Sequence, residues 1–193
     1  MHKSETGLPP NARLVFKGKI FEAWQWEQKL FDGSVAIFER VWRPDSVTII
    51  PVVGKRFLIQ TQEQPHRPAP FLSFPGGICD EGEGPADAAA RELREESGYA
   101  SDDWGLWKTF GPSEKVIHIH HVFIARNCAQ VEEPRLEPGE RITDGLISFD
   151  EMLLLADDPA FRHNDLRESF VRARYEERIR LELLRLLFGR EVF

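Results

Sequence analysis

Gly77-Ile78-Cys79-Asp80-Glu81-Gly82-Glu83 leads through Gly84-Pro85 and the alanine-rich residues 86–90 into Arg91-Glu92-Leu93-Arg94-Glu95-Glu96-Ser97-Gly98-Tyr99. This stretch decides how the chain is read. Pro85 suits a first helical turn, the alanines favour helix strongly, and Gly98 offers a left-handed residue on which a helix ends. A helix in this register sets Glu92, Glu95 and Glu96 at i, i+3 and i+4, on one stripe. Ala86, Ala89 and Leu93 mark a different face that can pack inward.

Like charges at this spacing destabilise a helix by roughly 0.2–0.5 kcal/mol per pair. Two readings account for them. In one, Arg91 and Arg94 form solvated ion pairs on an ordinary wet helix face. In the other, a hard divalent cation gathers the carboxylates, because Mg²⁺ takes oxygen ligands and keeps water beside a few carboxylates and substrate phosphates. Gly76-Gly77, directly after the apolar run Phe71-Leu72-Ser73-Phe74, supports the second reading. The two glycines permit close backbone approach and leave a carbonyl free to join the site.

The rest of the chain sets bounds. Its 193 residues suit one domain with an added element and enough apolar content for a core. A net charge of −7 and a pI near 5.4 argue against a broad nucleic-acid surface. Cys79 and Cys128 are too few for a disulfide framework, no apolar segment is long enough to cross a bilayer, and Met1-His2-Lys3-Ser4-Glu5 lacks a signal-peptide core. A cytoplasmic location is the expectation.

Periodicity and turn residues lay out the remaining elements. Residues 1–12 read as a flexible start, and residues 13–45 as a hairpin region with strands over 19–28 and 34–42 around Asp32-Gly33. A second hairpin follows, Val47 to Val53 and then Phe57-Leu58-Ile59, turning at Gly54-Lys55. After the carboxylate helix come strands over 106–110 and 116–125, a polar loop reaching Arg141, and a last strand over 146–149. A short helix begins near Asp150, and one long helix is expected over 165–188, with Leu166, Phe170, Ala173, Ile179, Leu183 and Leu187 apolar and arginines crowding its other side. Such a helix covers the sheet or serves a partner.

Gly77, Glu83, Arg91-Glu92-Leu93, Glu95-Glu96, Gly98 and Tyr99 match the Nudix signature GX5EX7REUXEEXGU at every fixed position, U being apolar or aromatic. Residues 46–193 are thereby identified as a Nudix hydrolase domain. The resemblance implies an α/β/α sandwich with a mixed sheet, preceded here by an antiparallel hairpin and followed by the added helix. It also implies Mg²⁺, with Mn²⁺ as a substitute. Glu92, Glu95 and Glu96 would hold the metal with a backbone carbonyl near Gly76, while Glu83 and Arg91 match the supporting Glu and Arg that orient those carboxylates. A Glu from a later loop often activates water in this family; Glu140 is the first candidate in Arg135–Ile142 and Glu137 the second, with a solvated loop carboxylate as the alternative.

The chain looks most like the branch that cleaves ADP-ribose and other nucleoside diphosphate sugars. In that branch the N-terminal sheet is commonly exchanged between two subunits, which implies a homodimer and makes Phe21, Trp24, Arg40 and Arg43 candidate base or phosphate contacts. The run Gln62–Arg67 resembles that branch's Gln-x-Arg loop with altered spacing and adds Arg67. One departure stands out: Ser73 occupies the place, two before Pro75, where the branch often has Glu. His118, His120 and His121 read as structural or surface histidines, or as a phosphate or ribose contact. The implied reaction yields a nucleoside monophosphate and a sugar phosphate from a small-molecule nucleoside diphosphate derivative, with no nucleic acid or membrane partner. Hydrolysis of modified nucleoside triphosphates is the alternative within enzymes, and a non-catalytic sensor of ADP-ribose-like ligands the alternative outside them.

Overall fold

The computed structural model describes residues 7–189. Of the loose start expected over 1–12, residues 1–6 lie outside that range. Residues 7–12 are held in place: Ala12 is buried, the Asn11 side chain donates to Glu27 O at 3.1 Å, and Arg40 Nη1 donates to Gly7 O at 3.3 Å.

The expected N-terminal hairpin is present as β2 (Glu22–Lys29) and β3 (Val35–Trp42), antiparallel with Trp26 opposite Phe38. Asp32 Oδ1 tightens its turn by accepting from Ser34 N and Ser34 Oγ at 2.9 and 2.6 Å. An additional strand, β1 (Arg13–Lys17), pairs with β2. On the far side β9 (Val116–Ile117) runs parallel to β3, making four strands.

The central sheet is built from β4 (Ser46–Val53), β5 (Arg56–Glu63), β6 (Phe71–Ser73), β8 (Asp103–Phe110), β10 (His120–Arg126) and β12 (Arg141–Ile147). Its order is β12-β5-β4-β10-β8, with β6 on β5, and only β4 and β10 are parallel within it. Two short strands, β7 (Tyr99–Ala100) and β11 (Ala129–Gln130), pair at the edge. Strand alternation separates two cores. Val47, Ile49, Phe123 and Ala125 pack with Ala88, Ala89 and Leu93 of helix α1 (Pro85–Ser97). Ile50, Val52, Val122 and Ile124 face the other way, toward α2 (Phe149–Leu154), α3 (Asn164–Tyr175) and α4 (Glu177–Phe188). Helices on both faces of a mixed sheet make the expected α/β/α sandwich.

Several expected boundaries are corrected. The strand over 116–125 divides at His118-Ile119, because the chain there leaves the N-terminal sheet and enters the central one. Asp45 Oδ1 accepts from Ile119 N at 2.8 Å, and Ser46 N donates to Ile119 O at 3.0 Å, so the two crossings brace each other. The last strand begins at Arg141 instead of Leu146, since it is an edge strand held by backbone bonds along β5 from Glu63 to Phe57 and needs little apolar content. Ala86 is exposed, and Ala88 takes the inward position assigned to it. The single helix over 165–188 is two helices, broken at Glu176, whose φ of −113° and ψ of 104° are extended. The apolar stripe explains the break. Leu166, Phe170 and Ala173 are in phase, but Leu183 and Leu187 stand about 80° out of phase with them on a continuous helix. Bending lets both stripes reach the sheet, and Phe188 packs on Phe57 at 5.5 Å.

Candidate active site

Helix α1 starts with Pro85 and ends on Gly98, a left-handed cap at φ 72° whose N–H donates to Arg94 O. Its inner face is fixed by Ala88, Ala89 and Leu93, so the stripe bearing Glu92, Glu95 and Glu96 faces the loop that follows β6. Gly76 and Gly77 allow that loop to lie against both strand and helix. A Cβ at Gly76, which has φ 156°, would stand 2.2 Å from Val47 O, and one at Gly77 would stand 2.2 Å from Glu92 Oε1. Any side chain at 77 would displace the Glu92 carboxylate.

Arg91 organises the outer half of the cluster. Its Nε and Nη2 donate to the two oxygens of Glu83, each at 2.9 Å, while Nη1 reaches Glu92 Oε1 at 2.8 Å and Glu95 Oε2 at 3.1 Å. Nη2 also donates to Ile78 O at 3.1 Å, tying the fork to the loop. Arg91 holds Glu83 below the usual carboxylate range through these bonds, and Glu83 in turn raises Arg91. The solvated-pair reading of this helix is thus incomplete: Arg91 is 28% exposed and Glu92 14%, and the charges are partly desolvated.

Glu96 lies deeper, 6% exposed, and accepts from Gly76 N at 3.0 Å. Burial pushes its carboxyl well above the ordinary range, opposed by the Gly76 N–H and reinforced by the charges of Glu92 and Glu140. Burial also raises Glu92. Glu140, at the start of β12, is raised by burial and then by the charges of Glu137 and Glu95, with the Glu137 N–H opposing. The structure therefore brings Glu140 from a distant loop to the helix carboxylates. Glu137 stays exposed at the rim, and its N–H donates to Glu140 Oε2 at 3.3 Å.

The donors fit a hard divalent cation in kind. Pro75 O accepts from Ile49 N and Gly77 O from Val47 N, at 2.8 and 2.9 Å, whereas the Gly76 carbonyl between them has no donor among the described residues. Glu92, Glu95 and Glu96 each keep one carboxylate oxygen without a protein donor there. Oxygen donors, clustered negative charge and raised carboxyls are the setting in which Mg²⁺ or Mn²⁺ binds. With Arg91 holding one oxygen each of Glu92 and Glu95, and Gly76 N one of Glu96, no group of three acidic, histidine or cysteine side chains converges in ligating geometry among the described residues.

A sequence model of the NUDIX domain matches residues 42–168. The chain belongs to the Nudix family. It is 27% identical over 147 residues to the ADP-ribose pyrophosphatase of Bacillus subtilis (strain 168), covering 74% of this chain and 79% of that protein. It is 26% identical over 143 residues to the methanol dehydrogenase activator of Bacillus methanolicus, covering 72% and 77%. A crystal structure of an ADP compounds hydrolase superposes with a TM-score of 0.71 at 23% identity, over 88% of this chain and 94% of that one, which shows the shared fold. The protein is a Nudix hydrolase.

Outside the Nudix helix the predicted contacts divide. Trp24 lines a cavity of about 660 Å³ together with Trp42, Pro44 and Asp45, and the floor of that cavity is the Nudix loop from Cys79 to Glu83. Phe21 is not among the residues lining that cavity; it lies under Arg43, whose Cζ is 6.0 Å from the ring. Arg67 stacks on Phe71. Arg40 turns elsewhere, donating to Gly7 O and to Ser113 O at 2.8 Å. His118 and His120 share Ser46 Oγ at 2.9 and 3.1 Å, and burial lowers both, so they serve as neutral struts. His121 lies against Phe123. Cys79 and Cys128 are buried thiols pushed up to about 11 by burial, unsuited to attack. Sequence reasoning passed over Arg162 and His163, which lie in an irregular segment before α3 and carry no periodic signal.

Proposed function

We propose that this Nudix hydrolase cleaves the diphosphate bond of ADP-ribose or a related nucleoside diphosphate sugar, releasing a nucleoside monophosphate and a sugar phosphate. The observation that carries the reading is the helix stripe of Glu92, Glu95 and Glu96 set against the glycine loop, where Glu96 accepts from Gly76 N at 3.0 Å beside the unbonded Gly76 carbonyl. Glu92, Glu95, Glu96 and Gly76 would hold Mg²⁺, with Mn²⁺ as a substitute. The cation supplies charge neutralisation at the diphosphate and an acidified water.

The chain's own residues do the rest. Arg91 and Glu83 hold the outer carboxylates in register, so that charge is in place before substrate arrives. Glu140, its proton affinity raised, takes the proton from the attacking water. The cavity bounded by Trp24 and Trp42 is of a size that accommodates a nucleoside. Exposed Phe16, Val35 and Ile37 on the N-terminal sheet support action as a homodimer, and two unpaired buried cysteines suit a cytoplasmic setting. The name of the Bacillus subtilis relative supports the substrate class.

Product analysis on ADP-ribose, other nucleoside diphosphate sugars, dinucleotides and nucleoside triphosphates, with Mg²⁺ and with chelator, tests this. Cation-dependent monophosphate from a sugar nucleotide is expected, with Glu95→Gln slower by about a hundredfold or more. Pyrophosphate released from a triphosphate would replace the substrate class, and a Glu95→Gln enzyme as fast as the parent at saturating Mg²⁺ would remove the metal assignment.

A further inference from the structure

The loop that follows β6 is held from two sides. On one side β4 holds it, Ile49 N donating to Pro75 O at 2.8 Å and Val47 N to Gly77 O at 2.9 Å. On the other, the segment before α3 runs parallel to β6: Leu72 N donates to Ala160 O and Arg162 N to Leu72 O, each at 2.9 Å. A parallel ladder continued by one rung would join Phe74 N to Arg162 O. The backbone does not make that rung. The chain turns into α3 at this point, and Arg162 O accepts from Asn164 N at 3.0 Å instead.

The side chain of His163 supplies the missing acceptor. Its Nε2 accepts from Phe74 N at 3.1 Å, and Ser73 Oγ lies 3.0 Å from the same nitrogen. The residue is buried, and its ring packs on those of Phe161 and Phe74, with centroids 5.3 and 5.8 Å away. A close-packed imidazole has little room to move, so it ends the ladder as firmly as a carbonyl would.

Two residues beyond Phe74 comes Gly76. Its N–H donates to Glu96 Oε2 at 3.0 Å, and its carbonyl has no donor among the described residues. A glycine at φ 156° has no side chain to hold its conformation, so the direction of that carbonyl depends on what fixes residues 74, 75 and 77. Strand β4 fixes 75 and 77, and His163 fixes 74. Without the imidazole, Phe74 N would be a buried donor left unpaired, and the chain from 74 to 76 would shift to satisfy it.

We propose that His163 is a positioning residue for the metal site: by accepting from Phe74 N it aims the Gly76 carbonyl, and through Gly76 N the Glu96 carboxylate, at one divalent cation. It touches neither the cation nor the substrate. That a cation binds there rests on the function proposed above; the bond from His163 to the loop does not.

Titration of the full chain with Mn²⁺, without substrate and followed by the electron paramagnetic resonance of the free cation, tests this. The parent is expected to bind, and Glu95→Gln to bind more weakly. His163→Leu, which keeps apolar bulk and removes the acceptor, should weaken the affinity about tenfold or more, as loss of a residue that orients metal ligands does. His163→Gln, which restores an acceptor, should recover part of that loss. Leu187→Ala, which removes core packing on α4 and no hydrogen bond, is expected to keep the parental affinity. Melting midpoints above the assay temperature confirm that the variants are folded. In turnover, the His163 variants should need more Mg²⁺ for half-maximal rate, with kcat at saturating Mg²⁺ within a few-fold of the parent. In the parent itself, Mg²⁺ should shift the ¹⁵N resonance of His163 Nε2, a readout that stands even if His163→Leu does not fold. An unmoved resonance at saturating Mg²⁺, parental Mn²⁺ affinity in folded His163→Leu, or an equal loss in Leu187→Ala overturns the proposal. Mn²⁺ binding that depends on Glu95 and not on His163 would remove this inference alone. His163-dependent binding without sugar-nucleotide hydrolysis would remove the proposed function and leave the positioning role, and no Mn²⁺ binding by the parent would remove both.

Discussion

Acid should destabilise this protein through His163, and the size of the effect can be worked from the structure. The Phe74 N–H can only donate, so the His163 Nε2 that accepts it at 3.1 Å must keep its lone pair. The ring proton therefore sits on Nδ1, 3.5 Å from Thr48 Oγ1, and Ser73 Oγ lies 3.0 Å from Nε2. Adding a second proton would set N–H against N–H in a site 7% exposed. Burial, then the charges of Arg162 and His120, lower His163 from 6.5 to about 3. Because the folded value is the lower one, the unfolded chain takes up the proton first. Stability is complete above the unfolded value and is lost as pH falls from about 6.5 toward 3. The difference corresponds to about 5 kcal/mol when fully expressed and about 2 kcal/mol at pH 5.

Urea unfolding of the parent and of His163→Gln, at pH 7 and pH 5, isolates this contribution. His118, His120 and His121 are lowered in the same direction, and Glu92 and Glu96 are raised, which favours the folded state as pH falls. These cancel to first order between the two proteins. The parent should lose about 2 kcal/mol more than the variant over this interval, although the variant starts lower by about 1–3 kcal/mol if the Phe74 N–H is left without an acceptor. Equal losses in the two proteins would refute the reasoning.

Two further outcomes are expected. Glu140→Gln should lower kcat by about 10²- to 10⁴-fold and remove the acidic limb of the kcat/KM profile; a retained limb would assign the base elsewhere. Leu187→Ala, at a fully buried position on α4, should cost about 2–5 kcal/mol in denaturant unfolding, and a loss much smaller than that would show that α4 does not close the core.

The Nudix helix was legible because all of its signals are local. Pro85, the alanines, the i, i+3, i+4 carboxylates and Gly98 are read within one stretch, and the structure reproduces them down to the left-handed cap. Hairpins at Asp32-Gly33 and Gly54 were legible for the same reason. The break at Glu176 was not. No proline or glycine marks it, and only the shift in phase between Ala173 and Leu183 records that the two halves pack on a bent path. The first part of strand β12, before Leu146, escaped because an edge strand is held by its neighbour's backbone and shows no apolar alternation there.

By itself the sequence determined the chemistry of the helix: which carboxylates share a face, which arginine stands among them and where the helix stops. Spacing along one helix fixes relative position without help from the rest of the chain. Tertiary structure decided what joins that helix. Glu140 and Arg162 come from separate loops, and pairings between β5 and β12, and between β6 and residues 160–163, bring them within reach of the Glu96 carboxylate. Those pairings depend on which strands become neighbours, a property of the folded sheet that no local pattern encodes.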